Sequence, residues 1–470
     1  MVKAWLAGLA AALVLFVGEA AGATFAMEDV VIPMDDGVSI AATLYTPEGA
    51  APAGGWPGLV FLHGLSRNRT DMNTLVEGYG FQRQYAVVTF DARGHGESGG
   101  LVSIDGPREV KDTRAIRAWL AARPDVADAK IGALGVSYGG GAIFNSLVAG
   151  VPWAAVVTVE TWTDLYSALM PQGLVKSGLV FGLAGSIPEA KRDPSLEVVQ
   201  AAAFAGNTSV VRPWAEVRSS LPKLGSVKTP VLMAQGRRDF LFGIDQGSRA
   251  FQRLQGPKAL YVGLHGHAPS TFPARDTTLL MERVRAWFDR YVRGLRSAPR
   301  VPSFMLSSDR PRVRVAESST PPKKIWTHYA LPGNTAATRQ AKVLRTVATP
   351  LAEAVDVYGA PTVSATISAS GGWSRLVAVL TAKTPTGEEI VVSAGGVPTS
   401  SRTRNVVIRL IDQATYLPRG SKLTLTLASS STAQSPSNLL YLDLPMSDAA
   451  HLRVGKVVLS LPVLRTPATK

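Results

Sequence analysis

Ile131-Gly132-Ala133-Leu134-Gly135-Val136-Ser137-Tyr138-Gly139-Gly140-Gly141 is the stretch on which the reading of this chain turns. Residues 131–136 form a continuous apolar run, as in a strand buried on both faces. Residues 138–149 read as the helix that follows. A G-x-S-x-G match such as 135–139 is common by chance. With a strand running in and a helix running out, it becomes a sharp turn that exposes the Ser137 hydroxyl at the end of a sheet. Glycines two residues before and two after the serine let the backbone turn that tightly, and Gly140 and Gly141 add room for close helix–strand contact. The alternative is an ordinary strand-to-helix turn capped by a serine. The remaining groups that an activated serine needs decide between the two.

Outward from this stretch, short β-branched runs alternate with helical patterns over residues 28–298. That alternation is the signature of a mostly parallel sheet covered by helices. The apolar runs at 58–62, 85–90, 154–159, 231–235 and 259–264 supply further strands, and Asp35-Asp36-Gly37 reads as the turn of an opening hairpin. Leu280, Val284, Trp287, Phe288 and Tyr291 mark a helix with one apolar stripe. The alternation is interrupted from about 160 to 228 by a segment rich in Leu, Ala and Gly and broken by prolines, which reads as a helical cap over the site. After 298 come a proline-rich crossing and then alternating Thr-, Ser- and Val-rich runs at 363–367, 376–380, 390–393, 406–410, 423–427, 439–443 and 457–461. Those predict an antiparallel sandwich over 299–470. The expected fold class is α/β: an α/β-hydrolase domain with a cap, followed by an all-β, jelly-roll-like domain.

A serine hydroxyl is a poor nucleophile until a base takes its proton. In this fold the order is serine, acid, histidine, which leaves four of the six histidines: His265, His267, His328 and His451. The run 259–264 ends directly at His265-Gly266-His267, and Gly266 gives the loop freedom to aim the second ring at Ser137. His267 is therefore the expected base and His265 a packing neighbour. A His-x-His metal pair is the other reading, but no third ligand stands nearby in the sequence. The run 231–235 leads into Gly236-Arg237-Arg238-Asp239, so Asp239 is the expected acid; its rival Asp245 is explained as the cap of the next helix. The backbone N–H groups of Tyr138 and of Leu65, in the loop after 58–62, are the expected oxyanion donors. His63 is expected to fix that loop, and residues 91–98 to form a tight loop held by internal hydrogen bonds.

Composition narrows the setting. There is no cysteine among the 470 residues, which excludes disulfides, thiolate metal sites and cysteine nucleophiles. An apolar fraction of 46% with 18% charged residues describes a chain able to bury large cores. The net charge is +14, but its Lys and Arg are scattered, so at most a weak association with an anionic envelope surface is expected and no nucleic-acid partner. Lys3, an apolar stretch at 4–17 and Ala21-Gly22-Ala23 have the layout of an export signal over residues 1–23. An uncleaved anchor is the competing reading. Export to the periplasm or medium, with no transmembrane span after signal cleavage, is the expectation.

These residues together resemble the CocE/NonD hydrolases, the group of cocaine esterase and the X-Pro dipeptidyl-peptidases. The resemblance rests on Asp91-x-Arg-Gly-x-Gly-x-Ser98, on Asp112 with Trp119-Leu120, on the elbow at Ser137 and on Gly236-x-x-Asp239. It extends to Thr349-Pro350-Leu351 and Val357-Tyr358-Gly359-Ala360-Pro361-Thr362, which look like the opening of that family's C-terminal jelly roll. It implies a cofactor-independent serine hydrolase for a small ester or amide, with a sandwich that helps close the active site. In one respect the chain departs from the pattern: members usually carry a tyrosine after the third strand to serve the oxyanion, whereas this loop reads His63-Gly64-Leu65-Ser66-Arg67-Asn68. Neither a cocaine-esterase-like nor a prolyl-peptidase specificity is therefore carried over. Ester hydrolysis is expected ahead of peptidase or amidase activity because alkoxide leaving groups need less help and no peptide-anchoring site is visible in the sequence. A polymer-binding envelope protein on an inactive scaffold is the alternative outside the enzymes.

Overall fold

A computed structural model describes residues 24–267, 270–309, 315–339, 341–400 and 403–464; the expected export signal at 1–23 and residues 268–269 of the histidine loop lie outside them. The first layer is a sheet of ten strands: β1 Phe25–Pro33, β2 Ser39–Pro47, β3 Trp56–Leu62, β4 Ala86–Phe90, β5 Val126–Val136, β6 Val156–Val159, β7 Val231–Gly236, β8 Lys258–Gly263, β9 Phe304–Ser307 and β10 Val315–Ser318. Their order across the sheet is β1-β2-β4-β3-β5-β6-β7-β8-β9-β10. β1 and β2 form the expected antiparallel hairpin, and the strands from β4 through β9 run parallel. The apolar runs read from the sequence are the central strands because helices cover both of their faces, leaving no side that water could reach.

The chain steps from β3 to β4 on one side and then crosses back to β5 on the other. The loops leaving β3 and β5 therefore diverge at one end of adjacent strands, the crevice where open α/β sheets hold their ligands. Ser137 directly follows β5, and Leu65 lies three residues past β3. Between β6 and β7 the chain departs into helices at Leu165–Leu169, Ser177–Ser186, Pro194–Phe204 and Thr208–Glu216, which roof the same end of the sheet.

The first sheet does not stop at residue 298. β9 and β10 come from the proline-rich crossing, and the apolar Phe304-Met305-Leu306 run covers the edge of β8. Two antiparallel sheets follow. One contains Thr362–Ser370, Arg404–Arg409, Val355–Gly359 and Gln413–Leu417 around the long His451–Leu464; the other contains Val343–Thr346, Lys422–Ala428, Arg375–Lys383 and Glu389–Pro398. Their inner faces share a single apolar core, so the second layer is the expected all-β sandwich. Residues 439–443, read as a strand, pair with none. Leu440 and Tyr441 instead pack with Phe240 and Ile411, and Leu440 O accepts from Gly178 N at 3.3 Å. Their apolar side chains are used at the seam between the layers, which periodicity along the chain does not record.

Candidate active site

The turn at Ser137 is as strained as its sequence implies. Ser137 has φ 54° and ψ −112°, a conformation that costs a non-glycine residue energy and persists only where its surroundings enforce it. Here they do: Ser137 N donates to Val159 O at 2.7 Å, while Ser137 O accepts from Thr161 Oγ1 at 2.7 Å and from Gly141 N at 3.1 Å. A Cβ on Gly135 would stand 2.3 Å from Gly139 O, and one on Gly139 would stand 2.4 Å from Leu62 O. Both glycines are therefore demanded by the close approach of helix Tyr138–Val148 to the sheet.

Ser137 Oγ lies 2.8 Å from His267 Nε2, and His267 Nδ1 lies 2.6 Å from Asp239 Oδ2. The three side chains, 102 and 28 residues apart along the chain, meet because β5, β7 and β8 end at the same edge. Asp239 is fully buried, and its Oδ1 accepts from the backbone N–H of Leu241 and Phe242, each at 2.9 Å. Burial works against its ionisation. The His267 charge and the hydrogen bonds from His267 and from the Phe242 and His267 backbone outweigh that penalty and hold the carboxyl below its ordinary range. For His267, burial disfavours the imidazolium, but Asp239 more than restores it, leaving the ring a stronger base than a free histidine. Such a chain can draw the proton from Ser137 as its oxygen attacks an electrophile.

The backbone N–H groups of Leu65 and Tyr138 donate to no protein group among the described residues. Leu65 and Tyr138 both border the cavity that contains Ser137. His63 organises the first of these loops: its Nδ1 donates to Gly64 O at 2.7 Å and its Nε2 accepts from Ala92 N at 2.9 Å. Burial lowers its pKa to about 4, so the ring stays neutral as that pattern requires. The loop at 91–98 is tied as expected, with Asp91 accepting from Arg69 N at 2.7 Å and Glu97 N at 2.9 Å, and Arg93 paired with Asp112 at 2.7 Å.

The cavity beside Ser137 is almost wholly apolar. Cap residues Leu169, Val180, Leu183 and Val211 form its outer wall, with Phe242 against the His267 ring and Trp162 against Phe242. No carboxylate or cationic side chain lines it among the described residues.

Three participants were not legible in the sequence. Glu160, at the end of β6, is fully buried with its Oε1 2.6 Å from His265 Nδ1. Its place at a strand's carboxyl end was the one available hint. Gln413 of the sandwich donates from Nε2 to Asp239 O at 2.8 Å, while Ala414 N donates to Arg237 O at 2.7 Å, so the second layer braces the acid-bearing loop. Lys176 of the cap is buried and donates to Phe240 O and Leu241 O, both at 2.9 Å. Asp245 is not a cap: Gly243 holds that position, and Asp245 lies in the first turn of Ile244–Arg253 and does not line the cavity that contains Ser137. Glu160, Asp239 and His267 offer ligand atoms within 4.8 Å of one another. Both His267 nitrogens are already engaged by Asp239 and Ser137, and Glu160 Oε1 by His265, so the group is not an open ligand set.

Residues 36–269 match the family described as X-Pro dipeptidyl-peptidase (S15 family). Cocaine esterase from Rhodococcus sp. (strain MB1 Bresler) is 26% identical over 378 residues, covering 66% of this chain and 62% of the length of that enzyme. Among solved structures, a CocE/NonD family hydrolase from Staphylococcus aureus superposes with a TM-score of 0.73 at 14% identity, covering 93% of this chain and 94% of that one. An alpha-amino acid ester hydrolase does so with a TM-score of 0.67 at 16% identity, covering 96% and 98%. These two likenesses span both layers and concern the fold. With the family match and the cocaine-esterase relative added to them, the chain is similar to the CocE/NonD hydrolases and the S15 peptidases.

Proposed function

We propose that this hydrolase is a serine esterase for substrates with a sizeable apolar acyl or aryl group. Ser137 Oγ attacks the ester carbonyl as its proton passes to His267 Nε2, and Asp239 stabilises the imidazolium that forms. The oxyanion is received by the N–H groups of Leu65 and Tyr138. His267 then protonates the departing alcohol, leaving an acyl-Ser137 ester. Water, deprotonated by His267, attacks that ester and releases the acid.

The observation that carries this reading is the apolar cavity opening onto a serine already 2.8 Å from its histidine. A buried apolar wall rewards each methylene of a substrate with about 0.8 kcal/mol. The same wall argues against an aminopeptidase-like role, because no carboxylate stands in it to hold a free α-amine. The export signal read at 1–23 supports action in the periplasm or medium; no described helix is long and apolar enough to cross a membrane.

The test is labelling with a fluorophosphonate followed by peptide mapping, then rates on a p-nitrophenyl ester series and on aminoacyl-proline amides. A single adduct at Ser137, lost in Ser137→Ala and His267→Ala, with turnover of long-chain or aryl esters, is the expected result. Turnover of the proline amides instead would make it a peptidase of the S15 kind. A folded protein that takes no label would overturn the enzymatic reading and leave a binding scaffold.

A further inference from the structure

Directly behind the relay lies a second carboxylate–imidazole pair that the acyl-transfer steps do not use. Glu160 stands at the end of β6 with φ 51°, its N–H donating to Ala234 O at 2.8 Å. This is a strained position for a residue with a side chain, held by the strands on both sides. Its Oε1 meets His265 Nδ1 at 2.6 Å, and its Oε2 has no hydrogen-bond partner among the described residues. His265 is equally buried. Its ring stacks between Tyr261 and Phe272, at 5.8 Å and 6.3 Å between centroids, and its Nε2 is also unpartnered.

Two buried carboxylates, Asp239 and Glu160, thus approach one catalytic imidazole. An uncompensated buried carboxylate is expensive, so each needs hydrogen-bond donors or a cation close by. Asp239 has donors from Leu241 N, Phe242 N and the His267 ring, whereas the Glu160 side chain meets His265 alone; His267, resting neutral to accept the serine proton, supplies no cation. The charged and titratable groups facing the site from each packed element can be named. Asp239 comes from the loop after β7, and Asp276 from helix Ala274–Tyr291, where it accepts from Tyr261 OH at 2.6 Å and from Leu264 N at 2.8 Å. Lys176 comes from the cap and is committed to the carbonyls of Phe240 and Leu241. The group in direct contact with Glu160 that can supply the missing charge is His265.

We propose that Glu160 and His265 form a neutralised ion pair whose internal proton sets the base strength of His267, making both of them positioning residues for the reaction. This rests on the Ser137–His267–Asp239 reading given above. In the pair, His265 carries the proton while His267 does not, so the relay faces a net neutral neighbour. Remove the His265 charge and the Glu160 carboxylate acts on His267 directly, holding its proton more tightly. Consistently, burial disfavours a charge on His265, but Glu160 overcomes it and raises the ring above the ordinary histidine value; Glu160 also acts in the raising direction on His267.

The experiment is the pH dependence of kcat/KM on a p-nitrophenyl ester for the wild-type protein and for His265→Gln, Glu160→Gln and the double variant. In His265→Gln the midpoint of the acid limb should move up by about one pH unit, a tenfold change in proton affinity. In Glu160→Gln and in the double variant it should return to the wild-type position or just below. A purely structural pair would lower the plateau rate and Tm in all three and leave the midpoints where they were; that outcome overturns the proposal. Should His265→Gln not fold, ring 15N shifts of the histidine-labelled wild-type protein at pH 7 decide the matter. They should show His265 doubly protonated and His267 neutral, and a neutral His265 would sink the pair. A wild-type protein with no fluorophosphonate labelling would instead refute the serine-hydrolase reading on which the proposal stands.

Discussion

Replacing Asp239 by asparagine exchanges one oxygen for an NH₂ group, and the structure dictates where that group goes. Oδ1 already accepts two backbone N–H groups, from Leu241 and Phe242 at 2.9 Å each, so the amide oxygen must take that position. The NH₂ then occupies the position of Oδ2, 2.6 Å from His267 Nδ1 and 3.3 Å from His267 N. Facing a donor, Nδ1 must accept, and the ring proton moves to Nε2, where it points at Ser137 Oγ. The histidine is then in the wrong tautomer to act as a base. The comparable substitution in a serine protease triad lowers kcat about 10⁴-fold, which corresponds to about 5.5 kcal/mol of barrier. Asp239→Asn should therefore lose about 10³- to 10⁴-fold in kcat on a p-nitrophenyl ester at pH 7.5. Its KM should change little, and its circular dichroism and Tm should stay close to wild type, because shape and the two backbone bonds to Oδ1 are kept and only the long 3.3 Å bond from His267 N is lost. Steady-state kinetics on mass-verified protein is the assay. A folded variant within tenfold of wild type would refute the reasoning, for it would mean that a group other than Asp239 orients His267. Glu160 would then be the first residue to examine.

Three further outcomes follow from the seam, the cavity and a buried acid. Gln413→Leu removes the sandwich's bond to Asp239 O, worth about 0.5–1.5 kcal/mol, so kcat should fall about two- to tenfold with KM nearly constant; an unchanged kcat would free the sandwich of any part in holding the acid loop. Leu183→Trp fills the outer wall of the cavity and displaces about three methylenes of substrate, at about 0.8 kcal/mol each; kcat/KM on long-chain esters should drop about 50-fold while acetate esters are spared, as a chain-length series would show. Asp412 at the seam is buried beside Asp245, and that burial together with the neighbouring carboxylate pushes its pKa up to about 7 from an ordinary 3.8. The folded protein then holds a proton that the unfolded chain releases between those two values, so stability is lost as pH rises through this window and stays lost above it. Asp412→Asn should thus raise Tm at pH 8, with the gain fading toward pH 4; equal Tm differences at both pH values would remove Asp412 as the cause.

How much of this molecule could be read without coordinates depends on how local each signal is. The buried strands announced themselves as apolar runs because both of their faces are covered. The turn at Ser137 did so because the close packing of Gly135 and Gly139 leaves no space for a Cβ. Asp239 and His267 were reachable by rule, since each stands just beyond a legible strand in a fold whose strand ends converge. Residues 439–443 misled for the converse reason: an apolar run says that side chains are buried, not what they are buried against. The run at 304–306 lay hidden among prolines although it closes the first sheet.

By itself, then, the sequence determined the layer architecture, the elbow and the order of the serine, acid and histidine, all properties of short segments and their spacing. Only the tertiary structure decided that the first histidine of the loop, His265, is held by the buried Glu160. It alone brought Gln413 to the back of Asp239 across 174 residues, and it alone made the cap's broken helices into an apolar wall. Those contacts are set by the crossing of whole layers, and a side chain's direction at such a crossing depends on surfaces distant in the chain, which no local pattern encodes.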